Sequence, residues 1–382
     1  MADFIFKISP NIVLGAYASS RIGQFVHEWG KQYMLIADPV LNDTKIIEKV
    51  TKSLSDRGIE FFVFDEIPSA PDTEVIDRAL SLAKKAHVHG ILAVGGMKAA
   101  CVGRTVASLY HENHDIYDFL DGARPSTAPL PFIFLLSTIR DPYLFSDRNP
   151  LVDARTKQLK LLKVQPGLCK LAVFDPNLLV SLTENQIASM SLQSLCLACE
   201  SYISQKANFF SDTIVEKSVE MFAHGLDGTS VLNTSVSKEQ FLTQAGCMAS
   251  LAAGTTSIGA ASLLGEAVHG RFKIATSLTT SILFPYILED AAKYKTDKIA
   301  KLARIMKISS ETSDNDSVVA NFIENIRNRI AIANLPARLK DLSVSVEELA
   351  LAAEDAAKVE YANFMPRSMT ADDFFDIIKQ AY

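Results

Sequence analysis

The chain has 382 residues, of which 48% are apolar and 21% are charged, and its formal net charge at neutral pH is −6. This length and composition allow a large buried core and suit two domains of ordinary size. An acidic chain without clustered Lys and Arg excludes a nucleic-acid surface, because neutralising phosphates requires such clusters. A small-molecule substrate is therefore the expected partner.

No targeting or membrane segment is expected from the sequence. The N-terminus lacks a basic segment followed by an apolar stretch, and the longest apolar stretches are interrupted well before a membrane-spanning length. Five scattered cysteines fit reduced thiols better than a disulfide framework. We therefore predict a soluble, cytoplasmic protein that does not bind membranes.

Short apolar runs alternate with amphipathic stretches through the first half. The predicted elements, in chain order, are a strand at 33–37, a helix at 44–56, a strand at 60–64, a helix at 72–86, a strand at 90–94, a helix ending near 110 and a strand at 171–174. Strands alternating with helices indicate parallel pairing through crossover helices. Residues 1–181 are thus predicted to form an α/β, Rossmann-like nucleotide-binding domain.

The pattern changes after residue 181. Thr183 and Gln186 have the spacing of a helix capping box, and helical periodicity continues from there to Tyr382. Residues 182–382 are therefore predicted to form an all-α domain.

The turn after the strand at 90–94 reads Gly95-Gly96-Met97-Lys98. Glycines at a strand-to-helix turn let the backbone approach a diphosphate, although a tight turn alone also requires them. Lys98 opposes the dipole of the following helix unless an anion neutralises it; the partner is either a diphosphate or solvent. Asp38 has two possible roles, as a ribose acceptor or as the start of an Asp-Pro turn.

Several segments resemble the iron-containing (group III) alcohol dehydrogenases, which have the dehydroquinate synthase-like fold. The matching segments are Asn-Ile-Val-Leu-Gly at 11–15, Ala-Asp-Pro at 37–39, Ala-Val-Gly-Gly at 93–96, Phe-Asp-Pro at 174–176, the helix at 191–204 and Ile-Leu-Phe-Pro-Tyr at 282–286. The resemblance implies an oxidoreductase that binds NAD or NADP and acts on a small alcohol or aldehyde. It also implies a homodimer.

By this resemblance the cofactor-binding residues are Asp38, Gly95, Gly96, Lys98, Ser137, Thr138 and, by a looser register, Lys160. Asp38 favours NAD, because its carboxylate would repel a 2′-phosphate. The chain departs from the family at the phosphate-facing serine, which is Met97 here. Lys98 and Arg104 keep positive charge nearby, whereas Ile139 and Arg140 replace small residues and are expected to narrow the nucleotide cleft.

The second departure lies at the metal site. The family holds its metal with one Asp and three His, and the corresponding positions here are Gln193, Leu197, Ser262 and Thr276. A leucine and two hydroxyls cannot replace imidazoles, so the site is expected to hold no metal. Two other arrangements of metal-binding residue types, His111 with His114 and Cys196 with Cys199, fit a helix terminus and a helix interior better than a metal centre.

Without a metal, the acid/base candidates are Glu266 and His269, with Arg271 or Lys273 as groups that could stabilise an alkoxide. The leading hypothesis is a metal-independent NAD(P)-dependent oxidoreductase. One alternative is a non-catalytic relative that acts as a ligand sensor or partner subunit. Another is a lyase or cyclase of the dehydroquinate synthase type, which also normally needs a metal.

Overall fold

Six parallel strands form one sheet in the first half of the chain. Their order across the computed structural model is β1-β8-β5-β4-β2-β3, and a separate two-stranded sheet pairs β6 with β7. The strands are β1 (Asn11–Leu14), β2 (Gln32–Ala37), β3 (Glu60–Phe64), β4 (Gly90–Gly95), β5 (Phe132–Leu136), β6 (Arg148–Val152), β7 (Leu159–Lys163) and β8 (Cys169–Phe174). All four strands predicted from the sequence are confirmed.

The structure describes residues 8–227, 236–310 and 312–382. The first seven residues, which bear on the expected absence of a targeting signal, lie outside this range. Within it, no single helix is long and apolar enough to cross a membrane. All five cysteines are buried free thiols, which agrees with the expected reduced state.

Short helices accompany the sheet. They are α1 (Ile22–Val26), α2 (Ile46–Ser55), α3 (Thr73–Lys85), α4 (Met97–Leu109) and α5 (Ile116–Leu120). The three helices predicted in this half correspond to α2, α3 and α4. Strands β4 and β5 are buried along their whole length, as expected for the centre of a parallel sheet that is covered on both faces.

The rest of the chain is helical. Its helices are α6 (Glu184–Ile203), α7 (Phe209–Asp227), α8 (Lys238–Thr255), α9 (Ala260–Phe272), α10 (Thr276–Ile305), α11 (Asn315–Ile332), α12 (Val346–Lys358) and α13 (Ala371–Ala381). The predicted capping box begins α6: the Gln186 N–H donates to Thr183 Oγ1 at 3.3 Å, and the Thr183 N–H donates to Gln186 Oε1 at 2.8 Å. The α/β class of the first half and the helical class of the second are both confirmed.

The chain divides into two compact units. Of the residues that the structure describes, the first unit contains 8–138, Tyr143–Leu151 and Leu161–Ser181, and the second contains Ile139–Pro142, Val152–Lys160 and those between Leu182 and Tyr382. Two short segments from the first half of the sequence therefore pack with the helical unit. One of them, Ile139–Pro142, directly follows the loop that ends β5.

Candidate functional site

Three strands of the first unit end side by side where the strand order reverses. β2 lies next to β4, yet β3 is on the far side of β2 and β5 is on the far side of β4. Two backbone hydrogen bonds of 2.9 Å join the strand ends. The Asp38 N–H, just after β2, donates to the Val94 carbonyl of β4, and the Ser137 N–H, just after β5, donates to the Gly95 carbonyl of β4. Open α/β sheets bind ligands at such a switch point. The predicted residues that the fold brings to this edge are Asp38, Gly95, Gly96, Lys98, Ser137 and Thr138.

The turn after β4 leaves little room for side chains. Gly95 has a φ of +152°, and a Cβ at this position would lie 2.6 Å from the Cβ of Asp38. A Cβ on Gly96 would lie 2.9 Å from Cγ2 of Thr138. Gly96 is the N-cap of α4 and supplies no side-chain cap to its first N–H groups. Because such N–H groups bind anions, this turn is suited to a phosphate.

Lys98 forms an ion pair with Asp38. Its Nζ lies 2.9 Å from Oδ1 of Asp38, whose side chain is 6% exposed. The same oxygen accepts the Val40 N–H at 3.2 Å, so Asp38 caps the short 3₁₀ helix Pro39–Leu41. The sequence offered a diphosphate or solvent as the partner of Lys98, whereas the structure supplies a carboxylate from the neighbouring strand end. The turn role considered for Asp38 is confirmed.

Arg104, expected to keep positive charge near the glycine turn, lies on a buried part of α4. It is 3% exposed on α4, where its Nη1 donates to Oδ1 of Asn149 at 3.3 Å. Burial lowers the pKa of Arg104 to about 10. Position 104 lies well inside α4 and not in its first turn, and a contribution of its charge to the glycine turn stays a prediction.

Lys160 lies on β7, in a segment that belongs to the second unit. A hydrogen bond from Arg155 and, more weakly, the charge of Lys160 hold the pKa of Asp153 below its usual range. Since Lys160 and the strand-end residues belong to different units, its ribose contact stays a prediction.

In the helical unit, two of the four positions expected at the metal site bind each other. The Gln193 amide on α6 donates from Nε2 to Oγ1 of Thr276, the first residue of α10, at 2.9 Å. Gln193 is 6% exposed, and Leu197, one turn further along α6, is fully buried. An amide that donates to a hydroxyl, beside an aliphatic side chain, forms a packed polar contact.

Glu200 has a role that the sequence interpretation missed. Its carboxylate on α6 accepts the N–H of Ala261 at 2.7 Å, of Gly259 at 3.1 Å and of Ser262 at 3.2 Å. These are N–H groups at the start of α9, whose own N-cap, Gly259, has no side chain. Glu200 therefore caps α9 from another helix. A Cβ on Gly259 would lie 2.6 Å from the Glu200 carboxyl carbon, so only glycine fits there.

Ser262, whose N–H donates to Glu200, is 1% exposed. Its hydroxyl is close enough to Glu200 to lower the pKa of that carboxyl group, but burial raises the pKa by more. The hydroxyl reaches no partner with hydrogen-bond geometry among the described residues. Ser262 is thus a buried polar group whose bonding is incomplete.

Glu266 follows Ser262 by one helical turn and is 4% exposed. Its Oε1 has no hydrogen-bond partner in the described part of the chain. Burial raises the pKa of Glu266 to about 7, while the charge of Arg140 acts in the opposite direction. A carboxyl group with a pKa near neutrality can both donate and accept a proton at physiological pH.

Arg140 is 3% exposed and belongs to the helical unit with its neighbours Ile139–Pro142. The Asp141 N–H donates to Oγ of Ser250 on α8 at 3.0 Å. The sequence interpretation placed Ile139 and Arg140 in the nucleotide cleft as an obstruction. Both side chains are buried and their segment packs with α8, and the narrowing of the cleft stays a prediction.

His269 is held near the end of α9. Its Nδ1 lies 2.7 Å from the carbonyl oxygen of Ile274. A carbonyl can only accept, so Nδ1 carries the proton when the ring is neutral. Arg271, considered as an alkoxide-stabilising group, instead forms a two-point ion pair with the buried Asp355 at 2.6 and 3.0 Å. Lys273 ends α9 in a left-handed conformation.

The residues at the four expected metal positions do not fit a divalent transition metal. Iron and zinc sites use imidazole, thiolate or carboxylate ligands, and this set offers one amide, two hydroxyls and an aliphatic side chain. Within residues 8–227, 236–310 and 312–382, no group of three or more His, Cys, Asp or Glu side chains is placed to hold a metal ion. His114 lies 3.6 Å from Asp118 on an exposed surface.

The chain matches two adjoining family descriptions. Residues 9–176 match "Iron-containing alcohol dehydrogenase", and residues 187–382 match "Fe-containing alcohol dehydrogenase family, C-terminal".

Individual relatives match over almost the whole chain. The 1,3-propanediol dehydrogenase of Citrobacter freundii is 24% identical over 379 residues, which covers 98% of this chain and 97% of that protein. The NAD-dependent methanol dehydrogenase of Bacillus methanolicus is 19% identical over 383 residues, with coverage of 98% and 99%. A crystal structure of 1,3-propanediol oxidoreductase superposes with a TM-score of 0.89, at 21% identity and 98% coverage of both chains. That structural likeness establishes a shared fold.

Proposed function

Because this chain belongs to the iron-containing alcohol dehydrogenase family, we propose that it is an NAD(P)-dependent oxidoreductase that interconverts a small alcohol and its aldehyde without the family metal. The observation that carries the cofactor part of the proposal is the meeting of three strand ends at the switch point of the sheet. Relatives named for 1,3-propanediol and methanol oxidation support the substrate class.

In this proposal the residues at the strand ends bind different parts of the dinucleotide. The Gly95-Gly96 turn and the start of α4 receive the diphosphate, since backbone N–H groups and the helix dipole favour its charge. Lys98 adds a positive charge, and its side chain remains 28% exposed. Ser137 and Thr138 supply hydroxyls at the end of β5. The bound nicotinamide nucleotide supplies the hydride, or accepts it in the reverse direction.

Asp38 is the proposed ribose acceptor, and we propose NAD as the preferred cofactor. Its carboxylate discriminates against a 2′-phosphate by charge repulsion, but the ion pair with Lys98 neutralises much of that charge. The preference for NAD over NADP is therefore expected to be smaller than an unpaired carboxylate would give.

Glu266 and His269 are the proposed acid/base groups. A carboxyl group with a pKa of about 7 can protonate a nascent alkoxide and regain its proton from solvent. His269 has a defined tautomer, with its proton on Nδ1 when the ring is neutral. The donor set at Gln193, Leu197, Ser262 and Thr276 supports a reaction without iron or zinc.

A thermal-shift titration with NAD, NADH, NADP and NADPH tests the cofactor proposal. Binding to the folded state raises the melting temperature, because it adds a stabilisation that grows with the logarithm of the ligand concentration relative to its Kd. We expect a shift with at least one nucleotide, and a larger one with NADH than with NADPH. If none of the four shifts the melting temperature, the proposed oxidoreductase is wrong.

A non-catalytic relative that binds a ligand or a partner subunit is the second candidate. The Gln193–Thr276 hydrogen bond favours it, because two positions expected to bind a metal satisfy each other. A screen of short aldehydes with NADH and NADPH separates the candidates. Nucleotide binding without turnover of any aldehyde would support the sensor, whereas turnover would exclude it.

We also propose, from family membership, a homodimer in the cytoplasm. Five buried free thiols are consistent with a reducing compartment. Sedimentation velocity of the purified protein tests the dimer, and a monomer at micromolar concentration would contradict it.

A further inference from the structure

The two carboxylate oxygens of Asp38 have different surroundings. Oδ1 accepts the Val40 N–H at 3.2 Å and lies 2.9 Å from Nζ of Lys98. Oδ2 would lie 3.4 Å from a Cβ on Gly95, so it is next to the space that the missing side chain of this glycine leaves at the turn. Among the residues that the structure describes, none donates a hydrogen bond to Oδ2. One oxygen is therefore held by the protein, and the other can accept a hydrogen bond from a ligand.

Lys98 has donors to spare beside this ion pair. It is the second residue of α4, and its side chain is 28% exposed, against 6% for that of Asp38. An ammonium group has three N–H donors. Within residues 8–227, 236–310 and 312–382, the side chain of Lys98 has no hydrogen bond or ion pair other than the contact with Asp38. Lys98 therefore presents a positive charge to solvent directly beside a buried carboxylate.

The two groups together can recognise either form of a dinucleotide ribose. In sheets of this type, an acidic residue at a strand end hydrogen-bonds the ribose 2′-hydroxyl of NAD, and a nearby cation accommodates the 2′-phosphate of NADP. Here the acidic residue and the cation lie 2.9 Å apart. A hydroxyl can donate to Oδ2 of Asp38, whereas a phosphate can accept charge-assisted hydrogen bonds from Lys98.

We propose that Lys98 determines the cofactor specificity, by neutralising Asp38 and by binding the 2′-phosphate of NADP. This role rests on the NAD(P)-dependent activity proposed above. Asp38 alone would reject NADP, because its carboxylate repels a phosphate of like charge. With Lys98 in place, NADH binds more tightly through Oδ2 of Asp38, and NADPH binds as well because a cation faces its 2′-phosphate.

Equilibrium titrations of the full-length protein with NADH and NADPH test the role of Lys98 without requiring turnover. Lys98→Met removes a charge-assisted hydrogen bond to the 2′-phosphate and leaves Asp38 without its cation. The ratio of the Kd values for NADPH and NADH should therefore rise by about 10–100-fold. The rise should be smaller in high salt, which screens exposed charges. Lys98→Arg keeps the charge, and its ratio should stay within about threefold of the wild-type ratio.

Lys298→Met is the matched control. Lys298 also forms an ion pair of 2.9 Å, with Asp212, and its side chain is 32% exposed, but it lies on α10 in the helical unit. The ratio of the two Kd values should be unchanged in this variant. A loss of stability alone raises both Kd values together, so the ratio separates recognition of the 2′-phosphate from folding.

A double variant keeps the test decisive if Lys98→Met folds poorly. Asp38→Asn combined with Lys98→Met has no unpaired carboxylate at the end of β2. Compared with Asp38→Asn alone, it should bind NADPH about tenfold more weakly and NADH with little change.

The outcomes separate this role from the proposed activity. A wild-type ratio in Lys98→Met and an Asp38→Asn ratio in the double variant, with both nucleotides still bound, would overturn the role of Lys98 and leave the oxidoreductase intact. A wild-type protein that binds neither NADH nor NADPH would overturn both proposals.

Discussion

The expected ligand sites of the two units differ in whether they are built from backbone atoms or from side chains. The corner at the strand ends is built largely from backbone: a glycine turn, the start of α4 and hydrogen bonds between adjacent strand ends. The expected metal site depends entirely on four side chains, and at those positions the chain has Gln193, Leu197, Ser262 and Thr276. A site made of backbone tolerates sequence change as long as the turn forms. A site made of ligand atoms is lost when the side chains change.

The largest expected loss of stability comes from a substitution in the helical unit. Glu200→Ala removes the acceptor for three buried N–H groups at the start of α9. Unsatisfied buried donors and a lost buried carboxylate predict a loss of about 3–5 kcal/mol in the free energy of unfolding, measured by urea denaturation. Glu348→Ala removes the exposed carboxylate that accepts the Ser345 N–H at the start of α12, and it should cost much less. Equal losses in the two variants would show that the cap on α9 is no different from a surface cap.

Glu266 should make the free energy of unfolding depend on pH. Its pKa in the folded protein is about 7, against an ordinary value of 4.5. The folded state therefore holds this proton more tightly than the unfolded state, so the contribution of Glu266 to stability is fully present below pH 4.5 and is lost as the pH rises to 7. At about 1.4 kcal/mol for each unit, the fall amounts to about 3 kcal/mol.

Glu266→Gln should remove this fall of the unfolding free energy with rising pH. Urea melts of the two proteins at intervals between pH 4.5 and 8 measure it, and the difference between their unfolding free energies should change across the window. Parallel curves would mean that Glu266 has an ordinary pKa and is unsuited to proton transfer near pH 7.

The glycine turn can be tested with a compensating pair. A Cβ at Gly96 meets Cγ2 of Thr138 at 2.9 Å, so Gly96→Ala should destabilise the protein by about 1–3 kcal/mol and weaken NADH binding. Thr138→Ser removes the opposing methyl group. In the double variant we expect much of the stability to return, because the collision is gone. Losses that simply add would mean that the two residues do not touch.

The smallest effect concerns cofactor choice. Asp38→Asn removes the charge that opposes a 2′-phosphate, but Lys98 already neutralises part of it. The ratio of the Kd values for NADPH and NADH should therefore fall by less than about tenfold, which corresponds to 1.4 kcal/mol. Fluorescence titration of both nucleotides measures the ratio. A larger change would show that Asp38 acts as an unpaired carboxylate when nucleotide binds.

Local sequence patterns predicted most of the fold. Apolar runs that ended in Gly-Gly or Asp-Pro marked strand ends, and the capping box at Thr183 marked the start of α6. Periodicity and turn chemistry extend over a few residues, which is the range in which these signals operate. The apolar run of β5 went unpredicted, and so did β6 and β7.

Contacts between distant segments could not be predicted in the same way. Lys98 binds Asp38 because the strand order makes β2 and β4 neighbours, and nothing in either segment alone shows this. Glu200 caps a helix that begins some 60 residues later. Arg140 was interpreted as an obstacle because its segment follows a nucleotide-binding strand. Its burial with the helical unit became apparent only from the fold.

Elemental analysis of the active enzyme shows whether it works without iron or zinc. The protein is purified without chelator, its aldehyde reduction is assayed, and iron and zinc are quantified in the same sample. We expect turnover in a sample that holds far less than one metal ion per chain. One tightly held iron or zinc ion per chain, removed by chelator together with the activity, would contradict it.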